Sequence, residues 1–258
     1  MKLLLLLVLI FIEIRSSGQT TIVDERKFSM SVKNEIVCLS IVCDLRIPHL
    51  TGLRQDDVRA YLNDSLSKIA KQVIESINEL IYFDYYEGSC DTSGIEFNPE
   101  GVSMSYHVWH NTDRLLSMNV TSGWSAGGGG AGFSSTEYFF NVDIYKNELM
   151  TIDSLFNSKN KIAAQQFVNK NIERLAKDQH DLFELVNDSI NIFGQTDEEN
   201  SYYTFIGFNI DSSYLILSYN HDGGRGNWST TFRLPLKEIK PFINKEYSWI
   251  YSEKKNRN

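Results

Sequence analysis

The hydrophobic repeat of this chain changes period after its first clear strand, and that change limits the fold more than any motif does. Val37, Leu39, Ile41, Cys43, Leu45 and Ile47 recur at every second residue, while Cys38, Ser40, Asp44 and Arg46 occupy the other face. Alternation of this kind marks a half-buried strand, expected to stop at Pro48. Over residues 53–81 the spacing becomes three and four, through Val58, Tyr61, Leu62, Leu66, Ile69, Val73, Ile77 and Leu80. One long amphipathic helix burying a single stripe is predicted there.

Strand patterns then come in runs, at 102–110, 114–121 and 136–145, with Asn111-Thr112-Asp113 and Lys146-Asn147-Glu148 supplying turn chemistry. A second helical block is expected over 161–176, with Ala163, Phe167, Ile172 and Leu175 inward, and a shorter one near 182–190. Strands follow at 202–210 and 214–219, turned by Asp211-Ser212-Ser213, and at 228–234; Pro235 is placed to open a closing helix through Ile243. Strands in runs, without strict strand–helix alternation, predict an α+β fold. Its largely antiparallel sheet packs against one long N-terminal helix and a second helical block.

The first eighteen residues read as a leader. Met1-Lys2 precedes about ten uncharged apolar residues, and Glu13 and Arg15 lead into Ser16-Ser17-Gly18. This matches a secretory signal peptide, too short for a bilayer span of ~20 residues, with cleavage expected between Gly18 and Gln19. Residues 19–258 then form a single domain with its core over about 35–243, expected in a periplasm or beyond the cell, with no membrane span after cleavage. Loss of Lys2, Arg15 and Glu13 removes a net +1, so the formal charge of −8 becomes −9. Phosphate backbones demand Lys and Arg, so nucleic acid is excluded as a partner. A basic protein partner suits the acidic balance, as plain solubility does.

In an oxidising compartment one pair among Cys38, Cys43 and Cys90 is expected to close. Cys38 and Cys43 stand roughly 16 Å apart along one strand, beyond the ~7 Å a disulfide allows. Cys90 is therefore expected to pair with Cys38 or with Cys43. No C-x-x-C is present, and His107 and His110, three apart on a strand, point to opposite faces, so no metal site is predicted. No cofactor motif is found.

Two loops carry glycine clusters beside tryptophan. The first runs Gly123-Trp124-Ser125-Ala126-Gly127-Gly128-Gly129-Gly130-Ala131-Gly132-Phe133, the second Asn220-His221-Asp222-Gly223-Gly224-Arg225-Gly226-Asn227-Trp228. Each reads as a sharp strand connection or as a recognition loop. In the second reading Trp124, Gly128, Gly129 and Phe133 act with Asp222, Arg225 and Trp228, forming one aromatic-rimmed surface if the sheet order joins them. Residues 123–127 also satisfy G-x-S-x-G, which in a serine hydrolase would make Ser125 the nucleophile, with Asp211 and His221 completing a triad. A nucleophile elbow needs a helix to begin after it, and four successive glycines oppose one at ~1 kcal/mol each relative to alanine. A non-enzymatic role is therefore expected.

Several segments in one order resemble the extracytoplasmic domain of RsiV, the lysozyme-sensing anti-sigma factor, which also accompanies PdaC-type peptidoglycan deacetylases. They are Ile47-Pro48 with Leu50-Thr51-Gly52, the long helix, the glycine loop over 127–132, and Phe140-Asn141-Val142-Asp143-Ile144-Tyr145 continuing to Ile152-Asp153-Ser154-Leu155-Phe156. Phe208-Asn209-Ile210-Asp211, Leu215-Ile216-Leu217-Ser218-Tyr219 and Phe232-Arg233-Leu234-Pro235-Leu236-Lys237-Glu238-Ile239 complete the likeness. The family commonly carries a histidine after Gly-Gly-Ala; here Phe133 follows Gly132, so no role of that histidine carries over. The resemblance implies an α+β binding domain at the cell envelope whose ligand is a lysozyme-like hydrolase or a cell-wall glycan. The sequence holds neither a membrane helix nor a sigma-binding segment, so the expectation is a module that binds without relaying a signal.

Overall fold

The computed structural model describes residues 22–34, 39–53, 56–82, 100–125, 133–178, 191–193, 203–222 and 227–251. The leader, Cys38, Cys90, Gly128, Gly129, Arg225 and the helix expected at 182–190 lie outside them.

Among the described residues nine strands form two sheets. The larger takes the order β1 (Ile22–Asn34), β2 (Leu39–Thr51), β3 (Glu100–Asn111), β4 (Leu115–Ser125), β5 (Phe133–Asp143) and β6 (Glu148–Leu149). All its pairings are antiparallel except β2 with β3, which run parallel from Ile41↔Glu100 to Leu45↔Met104. Between that parallel pair lies helix α1 (Asp56–Tyr82), third in element order after two strands. The smaller sheet is an antiparallel meander of β7 (Tyr203–Ile210), β8 (Tyr214–Asp222) and β9 (Asn227–Pro235). Short helices α2 (Ile152–Leu155) and α4 (Leu236–Ile239) and the longer α3 (Lys161–Asp178) complete the regular structure with 3-10 turns at Ser158–Asn160 and Lys245–Tyr251.

The α+β class and the antiparallel bias therefore hold, and Cys43 and Leu45 are buried while Asp44 and Arg46 are exposed, as the alternation requires. Pro48 does not end the strand; it stands inside β2 opposite Glu25. Pairing with β3 stops at Leu45, so only one edge of β2 is laddered by Pro48 and its missing N–H is tolerated. The strand ends at Gly52, whose φ of 81° is open to glycine at little cost. β1 was not expected at all. Its Asp24-Glu25-Arg26-Lys27 run masks the alternation of Phe28, Met30 and Val32, which stand in register with Leu45, Cys43 and Ile41.

Helix α1 buries Leu62, Leu66, Ile69, Ala70 and Val73 against β2, β3 and β4, and Tyr61 departs from its expected place by being 55% exposed. Asn63 fastens the helix to the sheet by accepting the Leu50 amide at 2.8 Å and donating to the Leu50 carbonyl at 2.9 Å. In α3 the inward stripe is Ala164, Val168 and Ile172, with Phe167 packed beside it; Ala163 is exposed, one position off the true face. The closing helix is also shorter than predicted. It stops at Ile239, two residues before Pro241, and the chain bridges to Phe156 at Ile243.

These elements stack in layers. One face of the large sheet meets α1 through Met104, Leu116, Met118, Val120, Phe140 and Val142. One face of the small sheet meets α3 and the C-terminal segment through Phe208, Leu217, Tyr219, Phe232 and Leu234. The remaining faces turn toward each other in a seam that is largely polar. Ser117, Asn141, Asn209 and Ser218 are buried there with Ile216. β7 crosses so close to β5 that a Cβ on Gly207 would lie 2.2 Å from the Phe139 ring.

Candidate functional site

The glycine loops connect antiparallel hairpins. β4 and β5 pair up to Ser125↔Phe133, with Trp124 opposite Ser134, so the first loop joins their ends. β8 and β9 pair up to Asp222↔Asn227, with His221 opposite Trp228, so the second does the same. The hairpins belong to different sheets, and one side-chain bond ties them together near their tips. Ser229 Oγ donates to Glu137 Oε1 at 2.6 Å. Glu137 stands four residues after Phe133 and Ser229 two after Asn227. The backbone positions of Trp124, Phe133, Asp222 and Trp228 therefore gather at one end of the molecule.

Farther along the same face, Arg233 on β9 lies over the Trp109 ring on β3, 5.7 Å from its centroid, a geometry that attracts a guanidinium. Trp109 Nε1 donates to Asn119 Oδ1 at 2.9 Å, and the His107 ring meets Trp109 edge-on at 4.3 Å. Trp109 is also the site of a bulge. The register passes from Val108↔Met118 to His110↔Ser117, so His107, opposite Asn119, and His110 share one face. Simple alternation predicted opposite faces, and the inserted residue corrects it. Among the described residues no group of three or more His, Cys, Asp or Glu is placed to hold a metal.

The triad residues are not assembled. Ser125 ends β4, and the next described element is the antiparallel partner β5. Asp211 caps the β7–β8 turn, accepting the amides of Ser213 and Tyr214. His221 lies at the far end of β8, roughly 23 Å away at ~3.3 Å per residue.

A cleft of about 140 Å³ opens on the α1 side of the hairpin end. Gln72, Val73 and Ser76 of α1 form one wall. Val102, the cross-strand pair Ser122 and Thr136, Tyr138 and the Gly123 backbone form the other. These residues escaped the sequence reading. The signal was the parity of β4 and β5, where the helix-facing positions change from Val120 and Phe140 to Ser122, Tyr138 and Thr136. Cys43, in register with Val102, has a buried free thiol that burial, and secondarily Asp44, pushes up from the ordinary range.

No protein-family model matches the chain, and no curated protein matches it either. Solved structures do. A DUF3298-family protein from Bacteroides fragilis NCTC 9343 superposes with a TM-score of 0.60 at 12% identity, over 93% of this chain and 100% of the other. The chain shares the fold of DUF3298-family proteins. A second member, from Pseudomonas aeruginosa PAO1, gives a TM-score of 0.52 at 12% identity, over 87% of this chain and 95% of the other. Identity this low carries the fold and nothing about ligands. No helix among the described residues is long and apolar enough to cross a membrane.

Proposed function

We propose that this chain is an exported binding domain of the RsiV type that acts at the cell envelope, engaging a basic lysozyme-like cell-wall hydrolase as an inhibitor or immunity-type factor. The observation that carries the reading is the Ser229–Glu137 bond, which holds two glycine hairpin ends side by side on separate sheets. The contact surface is Trp124, Gly128, Gly129 and Phe133 of the first hairpin with Asp222, Arg225 and Trp228 of the second. Large rigid aromatics beside closely approachable backbone make an economical hot spot. A formal charge of −8 for the full chain, −9 once the leader is lost, favours encounter with a basic partner. Export follows from the leader over residues 1–18.

Titration of the purified protein with lysozymes of several classes at moderate salt tests the reading. Saturable binding to at least one is expected, weakened at least tenfold when Trp124 and Trp228 are both changed to Ala. Absence of binding to every class overturns it.

A further inference from the structure

Arg114 stands just before β4, at the end of the large sheet away from the glycine hairpins. Its neighbour Leu115 pairs with Asp143, ten residue pairs from Ser125↔Phe133, roughly 33 Å at ~3.3 Å per residue. The Arg114 guanidinium lies over the Trp249 ring, 4.3 Å from its centroid, and over the Tyr145 ring at 5.8 Å. Trp249 is 7% exposed and belongs to the core, so the cation rests on a fixed support, whereas Tyr145 is 75% exposed.

Aromatic faces attract a guanidinium but accept no conventional hydrogen bond from its five N–H donors. Among the described residues those donors meet no acceptor, and no carboxylate lies within ion-pair distance of them. Nε is sealed from solvent, while the two terminal nitrogens are not. A partly buried cation, held in place with its fork unspent, favours an occupant that brings the missing charge. An oxyanion does so through two parallel bonds.

The surroundings narrow the choice of oxyanion. Lys146, next to Tyr145 in the chain, is committed elsewhere: its Nζ donates to Glu246 Oε2 at 2.6 Å and lies over the Tyr247 ring at 4.8 Å. Asp143 is fully buried in the same turn, its Oδ1 accepting the Tyr145 and Lys146 amides, and Asp113 is exposed beside Arg114. One uncompensated positive charge among carboxylates suits a monoanion, because a second negative charge would be repelled. The exposed Tyr145 ring offers apolar surface to the body that carries it.

We propose that Arg114 binds a single carboxylate borne on an apolar or aromatic frame, which packs against Tyr145. A free organic acid and the C-terminal end of a peptide share this chemistry. The proposal does not rest on hydrolase binding, because the hairpin tips lie at the other end of β4 and β5.

Amide NMR titration of the whole protein with phenylacetate and N-acetylphenylalanine, each beside its carboxamide, tests it. The acids are expected to shift the resonances of residues 113–116, 143–147 and 247–250, with a Kd on the order of 1 mM for so small a contact. The carboxamides keep the ring and lose the charge, and are expected to bind at least tenfold more weakly. Tighter binding of N-acetylphenylalanine assigns the site to a peptide end, and equal or weaker binding to a free acid. Arg114→Lys, which keeps the charge and loses the fork, is expected to weaken both acids severalfold. Tyr145→Ala, at an exposed position that leaves folding intact, is expected to do the same. The proposal is overturned by carboxamides that bind as well as the acids, by inorganic phosphate binding more tightly than either acid, by shifts scattered over the surface, or by unchanged affinity in either folded variant. Should Arg114→Lys not fold, the acid and carboxamide comparison and Tyr145→Ala decide the matter.

Discussion

The Ser117 hydroxyl on β4 donates to Asn141 Oδ1 on the adjacent β5 at 2.7 Å, and the same two side chains reach across to β7 of the small sheet. Ser117 Oγ also accepts the Ile210 amide at 2.9 Å and Asn209 Nδ2 at 3.2 Å, while Asn141 Nδ2 donates to the Phe208 carbonyl at 2.7 Å. Ser117→Ala would leave the Ile210 N–H and Asn141 Oδ1 unpaired inside the seam. A loss of about 2–6 kcal/mol is expected at ~1–3 per stranded group. Urea unfolding measures it; a loss under ~1 kcal/mol would mean that water replaces the hydroxyl.

Gly207 sits where β7 passes over the Phe139 ring. Gly207→Ala is expected to destabilise by roughly 1–3 kcal/mol through overpacking. Phe139→Leu in the same chain should recover part of that loss, because it removes the ring that the new Cβ meets. A double-mutant cycle reads the coupling, and strict additivity would contradict the close approach.

Two neighbours on α1 separate buried from exposed apolar residues. Leu66 is 1% exposed and Tyr61 is 55% exposed. Leu66→Ala is expected to cost about 2–5 kcal/mol by opening a cavity, whereas Tyr61→Ala stays within about 0.5 kcal/mol. Comparable losses in thermal unfolding would place Tyr61 in the core instead.

Alkali should weaken the fold through Cys43. Its thiol is held protonated by burial, so its folded pKa lies above the unfolded value near ~8.5. Below that pH both states carry the proton and the contribution is constant. Above it the unfolded chain ionises first, and stability falls as pH rises toward the folded pKa. Cys43→Ala should flatten the slope of unfolding free energy between pH 8 and 10, about the range where an unfolded thiol titrates. An equal slope in both proteins would exclude the thiol as its source.

Cys43 is buried with a free thiol, so of the two pairings expected for Cys90 in an oxidising compartment, the one with Cys38 leaves the packing around Cys43 undisturbed. Non-reducing peptide mapping of protein exported through an oxidising compartment is expected to recover a Cys38–Cys90 peptide. Alkylation should label Cys43 only after denaturation. A Cys43–Cys90 peptide would reverse the assignment.

Local periodicity carried much of the fold, because burial on one side of a strand or helix repeats at that element's own period. The stripe from Leu62 to Val73 and the alternation of Cys43 to Arg46 were legible for that reason. What failed was non-local. The pairing of β1 depends on a partner strand, the inserted Trp109 resets parity without any Gly or Pro to announce it, and Ala163 and Ala164 offer the same side chain to either face. The candidate site divided in the same way. Both glycine hairpins were visible as loops, but the contact between them rests on Glu137 and Ser229, ordinary polar residues 92 apart in sequence. Ser122 and Thr136 were unremarkable until the β4–β5 register set them opposite each other.

The parallel seating of β3 against β2 has a consequence during synthesis. Ile41 reaches its neighbour only when Glu100 has been made and has left the ribosome, well after the β1–β2 hairpin has emerged. In that interval the inner edge of β2 is an open template, and the nascent chain is exposed to pairing with other copies of itself. Each residue synthesised between 53 and 99 lengthens the time for which that edge stands without its own partner.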